Sequence, residues 1–536
     1  MRFRISIFFL PAFLLLCTAF LFKQDLRNTG ELPDSYSYDI AILNGVIITG
    51  DSNSKYKADI GIKGEKIVHI GDILQGEAKK SIDARGLYIC PGFIDIHSHV
   101  DNRIHENPTA DNYILQGVTT VVAGNCGGSR YPLSELFESL EEKGISINFC
   151  SFIGHNTIRR IVLGIKQITP ARDHMEWMKN IIDQEMRAGA LGLSTGLVYI
   201  PGRYATTGEL IELVSVLKKY NGIYATHMRG EGGHIEYALK EAIRIGEENN
   251  IQVQISHLKL MTEEAWGKTD SLTGLINAAR DRGVKITADQ YPYIASSAGL
   301  IAMFSTVYET LKDRSNQRAY YQTKRWLVRM LSPHLDKYTI ATYIATYKGN
   351  RDYEGKNITE ILKIRGEKVT PENVADLLIE MIQKDIRTWC IFYMMDEGDV
   401  EEIMKQDYVM ISSDGRLEEF GIGKPHPRSY GTFPRIIHIY VKEKGVLPLE
   451  TAIMKMTSLP AKTVRLSSRG LIKEKMYADI VVFDLKTIKD NATFQRPYQY
   501  PEGIKYVLVN GTIVAQDKRV TGKLPGKVLY GPGKTE

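Results

Sequence analysis

Apolar and polar positions follow two different patterns along this chain, and the boundary between them divides it. From Tyr38 to Cys90 the apolar residues come in short alternating runs, "DIAILNGVIITG", "ADIGIKGEKIVHIGD" and "KSIDARGLYICPG", broken by Gly and Asn-Gly turn signals. Alternation with a period of two predicts half-buried strands. The same texture returns near the other end in "GLIKEKMYADIVVFDL" and "IKYVLVNGTIVAQDKRV". Residues 36–90 and 466–532 are therefore expected to form one small β-sandwich domain built from both chain ends.

Between them, over residues 91–465, the apolar runs are continuous rather than alternating. They are "GFIDIHSH", "VTTVVAGNCG", "SINFCSFIGH", "ALGLSTGL", "IYATHMRGEG", "VQISHLK", "KITADQYPY" and "YVMISSDG". Amphipathic helical text lies between them, as in "HMEWMKNIIDQEMRAG" and "HIEYALKEAIRIGEENN". Strands apolar on both faces that alternate with helices predict a parallel α/β architecture. Eight such runs predict a (β/α)8 TIM-like barrel. A doubly wound sheet would need a glycine-rich turn after its first strand, and no GxGxxG follows "GFIDI". "WGKT" at Trp266–Thr269 lacks the upstream glycine of a phosphate loop. Residues 294–385 make the connection between runs seven and eight about ninety residues long, where a few tens suffice, and predict an inserted subdomain near the barrel mouth.

The first residues differ in kind. Arg2 and Arg4 precede an uncharged apolar run from Ile5 to Phe22, which predicts a signal peptide or membrane anchor over 1–22. The protein is then expected to be exported or membrane-anchored, with its body outside the cytoplasm and membrane contact through this segment if it is not cleaved.

Composition narrows the partners. The net charge is +5 and no basic stripe or aromatic-basic motif occurs, so no nucleic-acid partner is expected. Cys17, Cys90, Cys126, Cys150 and Cys390 are widely spaced without a CxxC pair, so neither a disulfide framework nor a zinc knuckle is suggested.

The candidate chemistry lies at the ends of the apolar runs. His97 and His99 are two apart in "DIHSHVD", so on a strand they share one face. A lone histidine is more often a packing or surface residue, but a pair at the C-terminal end of a buried strand favours metal binding. His227 and His257 end runs five and six, and Asp414 ends run eight. His155, after run three, is intermediate and takes no role. Cys126 leaves four readings open: a small buried hydrophobe, a disulfide partner, a nucleophile or a metal ligand.

These strand-end motifs resemble the amidohydrolase superfamily. "GVTTVVAGNCG", "GLSTGLVYIPGRYATTGEL", "THMRGEG", "ISHLK", "YPYIASS" and "HPRSYGTFPR" resemble more closely the N-acyl-D-amino-acid deacylase (D-aminoacylase) family, from Tyr38 to Leu529. The resemblance implies a zinc ion held by Cys126, His227 and His257. It also implies a second metal position facing His97, His99 and Asp414, with Cys126 shared. Asp414 would be the catalytic base, and Lys259, Tyr291 and Arg428 would bind the α-carboxylate of a small N-acyl amino acid. Arg428 taken alone reads as a surface ion-pair residue. Two competing readings are a cyclic-amide hydrolase of the dihydropyrimidinase or hydantoinase type, and a membrane-tethered binding protein without catalysis. The first would carry a carbamylated lysine on strand four, and "ALGLSTGL" has none. The sequence departs from many relatives in "SHLK", "GNCGGSRYP" and the insertion, which bear on acyl and side-chain specificity.

Overall fold

The computed structural model describes residues 36–51, 54–303 and 316–534. The segment expected to be a signal or anchor lies outside them. Among the described residues no helix is long and apolar enough to cross a membrane.

The molecule is an α/β protein. Eight short parallel strands carry the functional loops: β1 (Phe93–Asp95), β2 (Val118–Ala123), β3 (Asn148–Ser151), β4 (Gly192–Gly196), β5 (Ile223–His227), β6 (Gln252–Ile255), β7 (Ile286–Gln290) and β8 (Val409–Ile411). They pair in chain order. Asp95 is opposite Val121, Val121 opposite Phe149, Gly196 opposite His227, Ile255 opposite Ala288 and Gln290 opposite Ile411. Ile153–Gly154, just beyond β3, pairs with β4. Beyond β8, Gly415 and Arg416 pair in parallel with Ser98 and His99, just beyond β1. Nearly every residue of these strands is buried, which is why they read as continuous apolar runs. Amphipathic helices such as Arg172–Ala188 and Ile235–Asn249 pack their apolar faces onto the outside, and their residues join one large core with those of the strands.

The β-text of the two chain ends forms one sheet. Tyr38–Ile48 pairs with Lys55–Lys63, Ala78–Asp83 and Tyr88–Pro91, and Tyr88–Pro91 pairs with Ile480–Phe483 from the far end of the chain. Among the described residues nine strands belong to one hydrogen-bonded set, which branches at Tyr38–Ile48, where Ala78–Asp83 and Tyr88–Pro91 both pair. Its own core joins Ile42, Ile60 and Ile89 to Ile480, Val482 and Leu508.

The insertion between β7 and β8 is built on an antiparallel sheet of Ala295–Gly299, Thr342–Thr346 and Trp389–Tyr393, with the last strand in the middle. Its helices cover a separate apolar cluster. The sheet extends past residue 385, where the sequence pattern placed the end of the insertion. "WCIFY" is buried like any strand of the parallel set, and only its pairing with Ala295–Gly299 assigns it to the insertion.

Candidate metal and substrate site

The C-terminal ends of the parallel strands converge on one point. His97 and His99 follow β1, Cys126 follows β2, His227 ends β5, His257 follows β6 and Asp414 follows β8. Three sets of donor atoms lie within 4.8 Å of one another: His97, His99 and Cys126; Cys126, His227 and His257; and His97, His257 and Asp414. The Cys126 sulfur is at the centre, 3.3 Å from His97 Nε2, 3.5 Å from His257 Nε2 and 3.7 Å from His227 Nδ1. His99 Nε2 lies 3.0 Å from Asp414 Oδ1.

Three of these residues adopt left-handed backbone conformations, with φ of 54° at Cys126, 35° at His257 and 47° at Asp414. Such angles cost a non-glycine residue about 1–3 kcal/mol, and they persist where the surroundings hold them. Here they turn the chain sharply at the end of each strand and aim the side chain inward. Neighbouring glycines make room. A Cβ on Gly196 would lie 2.1 Å from the Cys126 carbonyl oxygen, so the Cys126 loop can rest against β4 only because that position is bare.

Carboxylates fix the far sides of the imidazoles. Asp289 Oδ1, on β7, lies 3.3 Å from His97 Nδ1. Glu231 Oε1 lies 3.0 Å from His257 Nδ1, and Oε2 lies 3.6 Å from His227 Nε2. This arrangement orients a ring and raises its basicity as a ligand. Burial alone would push the Cys126 thiol up, but the charges of His97 and His257 and hydrogen bonds from His227 and His257 outweigh it and hold the thiol well below its ordinary range. Burial and Lys259 both oppose a charge on His257, but Glu231 and Cys126 prevail and lift it to about 9. Thiolate, imidazole and carboxylate donors within one small volume suit zinc.

Around this cluster lies a cavity of about 630 Å³. Its wall includes Lys259, Tyr291 and Arg428 together with Trp389, Phe392 and Met394 of the insertion. Arg428 Nη1 is 2.9 Å from Asp414 Oδ2, and its guanidinium lies 4.7 Å from the centre of the Tyr291 ring. Lys259 Nζ donates to Glu231 Oε1 at 2.5 Å and lies 5.6 Å from the centre of the same ring. Burial would raise the Asp414 carboxyl, yet Arg428 and His97 hold it well below the usual carboxylate range.

Along 519 aligned residues the chain is 34% identical to the D-aminoacylase of Alcaligenes xylosoxydans xylosoxydans, which covers 92% of this chain and 98% of that protein. The chain belongs to the D-aminoacylase family. A family model described as the amidohydrolase family matches residues 380–515. A solved D-aminoacylase, studied for its binuclear metal center with one-metal activation and second-metal attenuation, is 34% identical with a TM-score of 0.79, covering 92% of this chain and all of that one. The N-acyl-D-glutamate deacylase of Bordetella bronchiseptica, solved with zinc and a phosphonate inhibitor mimicking the tetrahedral intermediate, is 29% identical with a TM-score of 0.79 over 92% of this chain and all of that one.

In this D-aminoacylase-family chain, every site residue expected from the sequence faces the same cavity or its metal cluster. His155 does not. It is buried against Glu209, 3.2 Å away, and Arg159 binds the same carboxylate at 3.0 Å. The sequence reading assigned nothing to Asp289 or Glu231. Asp289 stands two residues before Tyr291, so strand alternation puts both on one face; a charged residue inside an apolar run was the available signal. Glu231 lay within the quoted "THMRGEG" without a role.

Proposed function

We propose that this chain is a zinc-dependent hydrolase of linear N-acyl-D-amino acids, releasing a carboxylate and a D-amino acid. The observation that carries this reading is the convergence of Cys126, His97, His227, His257 and Asp414 at the floor of a cavity whose wall bears Lys259, Tyr291 and Arg428. Membership of the D-aminoacylase family supplies the substrate class. Cys126, His227 and His257 would hold one zinc, and His97, His99 and Asp414, with Cys126 shared, a second position. When bound, zinc acidifies water and polarises an amide carbonyl.

The protein's own groups do the rest. Arg428, Lys259 and Tyr291 hold the substrate's α-carboxylate and so fix the amide over Asp414. Asp414 takes a proton from the attacking water as the carbon–oxygen bond forms. It returns that proton to the amide nitrogen as the carbon–nitrogen bond breaks, so the amine leaves neutral. A substrate carboxylate at Arg428 competes with Asp414 for the guanidinium, which relieves the charge that holds Asp414 acidic.

The eight parallel strands are read as a (β/α)8 barrel. The pairing of Gly415 and Arg416 with Ser98 and His99 supports closure, since it joins the last strand's extension to the first. The insertion is read as a wall of the substrate cavity and the terminal sheet as a separate layer. Residues 1–22 are read as an export signal or anchor, on the strength of the Ile5–Phe22 apolar run after two arginines; N-terminal sequencing and fractionation of the expressed protein test this. The enzymatic reading is tested by assaying zinc-loaded protein on matched N-acetyl-D- and N-acetyl-L-amino acids. Hydrolysis confined to the D series supports it, and inactivity on both refutes it.

A further inference from the structure

Among the described residues four cationic side chains of lysine and arginine line the cavity: Arg160, Lys259, Arg416 and Arg428. Lys259 is matched by Glu231 and Arg428 by Asp414. Arg160 is exposed at the rim. Arg416 differs from the other three. It is half-buried, two residues beyond Asp414, and its guanidinium lies 4.0 Å from the centre of the Trp389 ring. Asp101 and Glu418 feel its charge, but among the described residues no carboxylate forms an ion pair with it.

Both members of this stack are held. The Arg416 backbone donates to Ser429 Oγ at 3.1 Å, its carbonyl accepts from Asn112 at 3.0 Å, and the residue pairs with His99. Trp389 Nε1 donates to Ser297 Oγ at 2.7 Å. The Ser297 carbonyl lies 3.5 Å from Arg428 Nη2. One stretch of wall thus carries Arg428, Ser297, Trp389 and Arg416 side by side. A guanidinium stacked on an indole keeps its in-plane N–H groups free for a planar anion. Asp101 and Glu418 balance part of its charge from a distance, but a partly desolvated guanidinium with no carboxylate in contact keeps donors that an incoming anion can complete.

We propose that Arg416 binds a second carboxylate of the substrate and makes the enzyme selective for dianionic N-acyl-D-amino acids. This inference rests on the deacylase reading above. Arg428 takes the α-carboxylate, and Arg416, across Trp389, takes the other. That second carboxylate belongs either to an acidic amino-acid side chain or to a dicarboxylic acyl group.

The test compares kcat/KM of the zinc-loaded, full-length protein for N-acetyl-D-glutamate, N-acetyl-D-glutamine, N-succinyl-D-leucine and N-acetyl-D-leucine. The wild type is expected to prefer at least one dianion over its neutral counterpart by tenfold or more. Preference within the glutamate pair assigns Arg416 to the side chain, and preference within the succinyl pair assigns it to the acyl group. Arg416→Met should lower the dianion's kcat/KM at least tenfold more than that of its neutral partner, mainly through KM. Arg416→Lys, which keeps the charge and loses the fork, should fall between; it also serves if Arg416→Met does not fold. Turnover without any dianion preference overturns this inference and leaves the deacylase reading standing. Equal loss on dianionic and neutral substrates assigns the stack a purely structural role and also overturns it. If none of the four is hydrolysed, the deacylase reading fails, and this inference with it.

Discussion

Replacing Asp289 by Asn probes the least visible part of the site. The side chain is 1% exposed. Its Oδ1 accepts from the His257 backbone N–H at 2.9 Å and from Ser412 Oγ at 2.7 Å, and lies 3.3 Å from His97 Nδ1. Its Oδ2 accepts from Gln254 Nε2 at 2.8 Å. An asparagine can keep an oxygen toward the three-partner side only by turning its NH2 toward Gln254. Gln254 cannot simply flip, because its Oε1 already accepts from Thr287 at 2.5 Å. One buried charge-assisted bond is therefore lost, worth about 1.5–3 kcal/mol, and the others weaken with the charge; a total cost of about 2–4 kcal/mol follows. His97 also loses its orienting carboxylate, which should weaken metal binding at the second position about 10–100-fold. The pH dependence has a definite sign. Burial alone would raise this carboxyl, but His97, His257 and Ser412 lower it below 3.8. The stability it contributes is full above the unfolded value near pH 4 and is lost as pH falls through the lower folded value. Asp289→Asn should flatten that acid limb. Chemical denaturation at pH 7 and pH 3, with zinc competition against a chelator at pH 7, measures all three effects. Wild-type stability together with wild-type zinc affinity would refute the reasoning.

Asp414→Ala should keep the zinc held by Cys126, His227 and His257 while losing about 10²–10⁴-fold in deacylation rate, read by metal analysis beside initial rates; near-wild-type activity would remove Asp414 as the base. Arg428→Ala should raise KM for N-acetyl-D-amino acids far more than for their C-terminal amides, and equal effects would remove its carboxylate role. Gly196→Ala should push back the Cys126 carbonyl, costing about 1–3 kcal/mol of stability and weakening zinc binding, whereas an unchanged melting curve and zinc titration would show that the loop has slack.

How far the site could be read beforehand depends on the kind of signal. The apolar runs marked the parallel strands because burial on both faces keeps most of their positions apolar, and the histidines were conspicuous because they stand where such runs end. Their convergence on one metal site was expected from the strand ends and the family resemblance; the grouping into three overlapping donor sets, each within 4.8 Å, arises from strand pairing across the whole chain and was not legible. The left-handed turns at Cys126, His257 and Asp414 leave no mark either, because residues other than glycine occupy them. Asp289 was hidden for the opposite reason: one acid inside an apolar strand looks like an interruption until its partners on β1, β6 and β8 are known. "WCIFY" lies beyond residue 385, and only its pairing with Ala295–Gly299 joins it to the insertion's sheet, which local sequence does not encode. The pairing of the two chain ends, with Cys90 opposite Val481, is likewise a long-range fact that local alternation does not encode.

If this chain uses zinc held at Cys126 to hydrolyse N-acyl-D-amino acids, removing the metal and removing the thiolate must have the same effect. The most direct measurement is the rate on N-acetyl-D-amino acids, with zinc content determined in parallel, for wild type and Cys126→Ala, each before chelation, after it and after zinc is restored. Wild-type activity is expected on D substrates only, lost on chelation and restored with zinc, while Cys126→Ala should neither retain zinc nor regain activity. Full zinc content in Cys126→Ala, or wild-type hydrolysis that survives chelation, would contradict it.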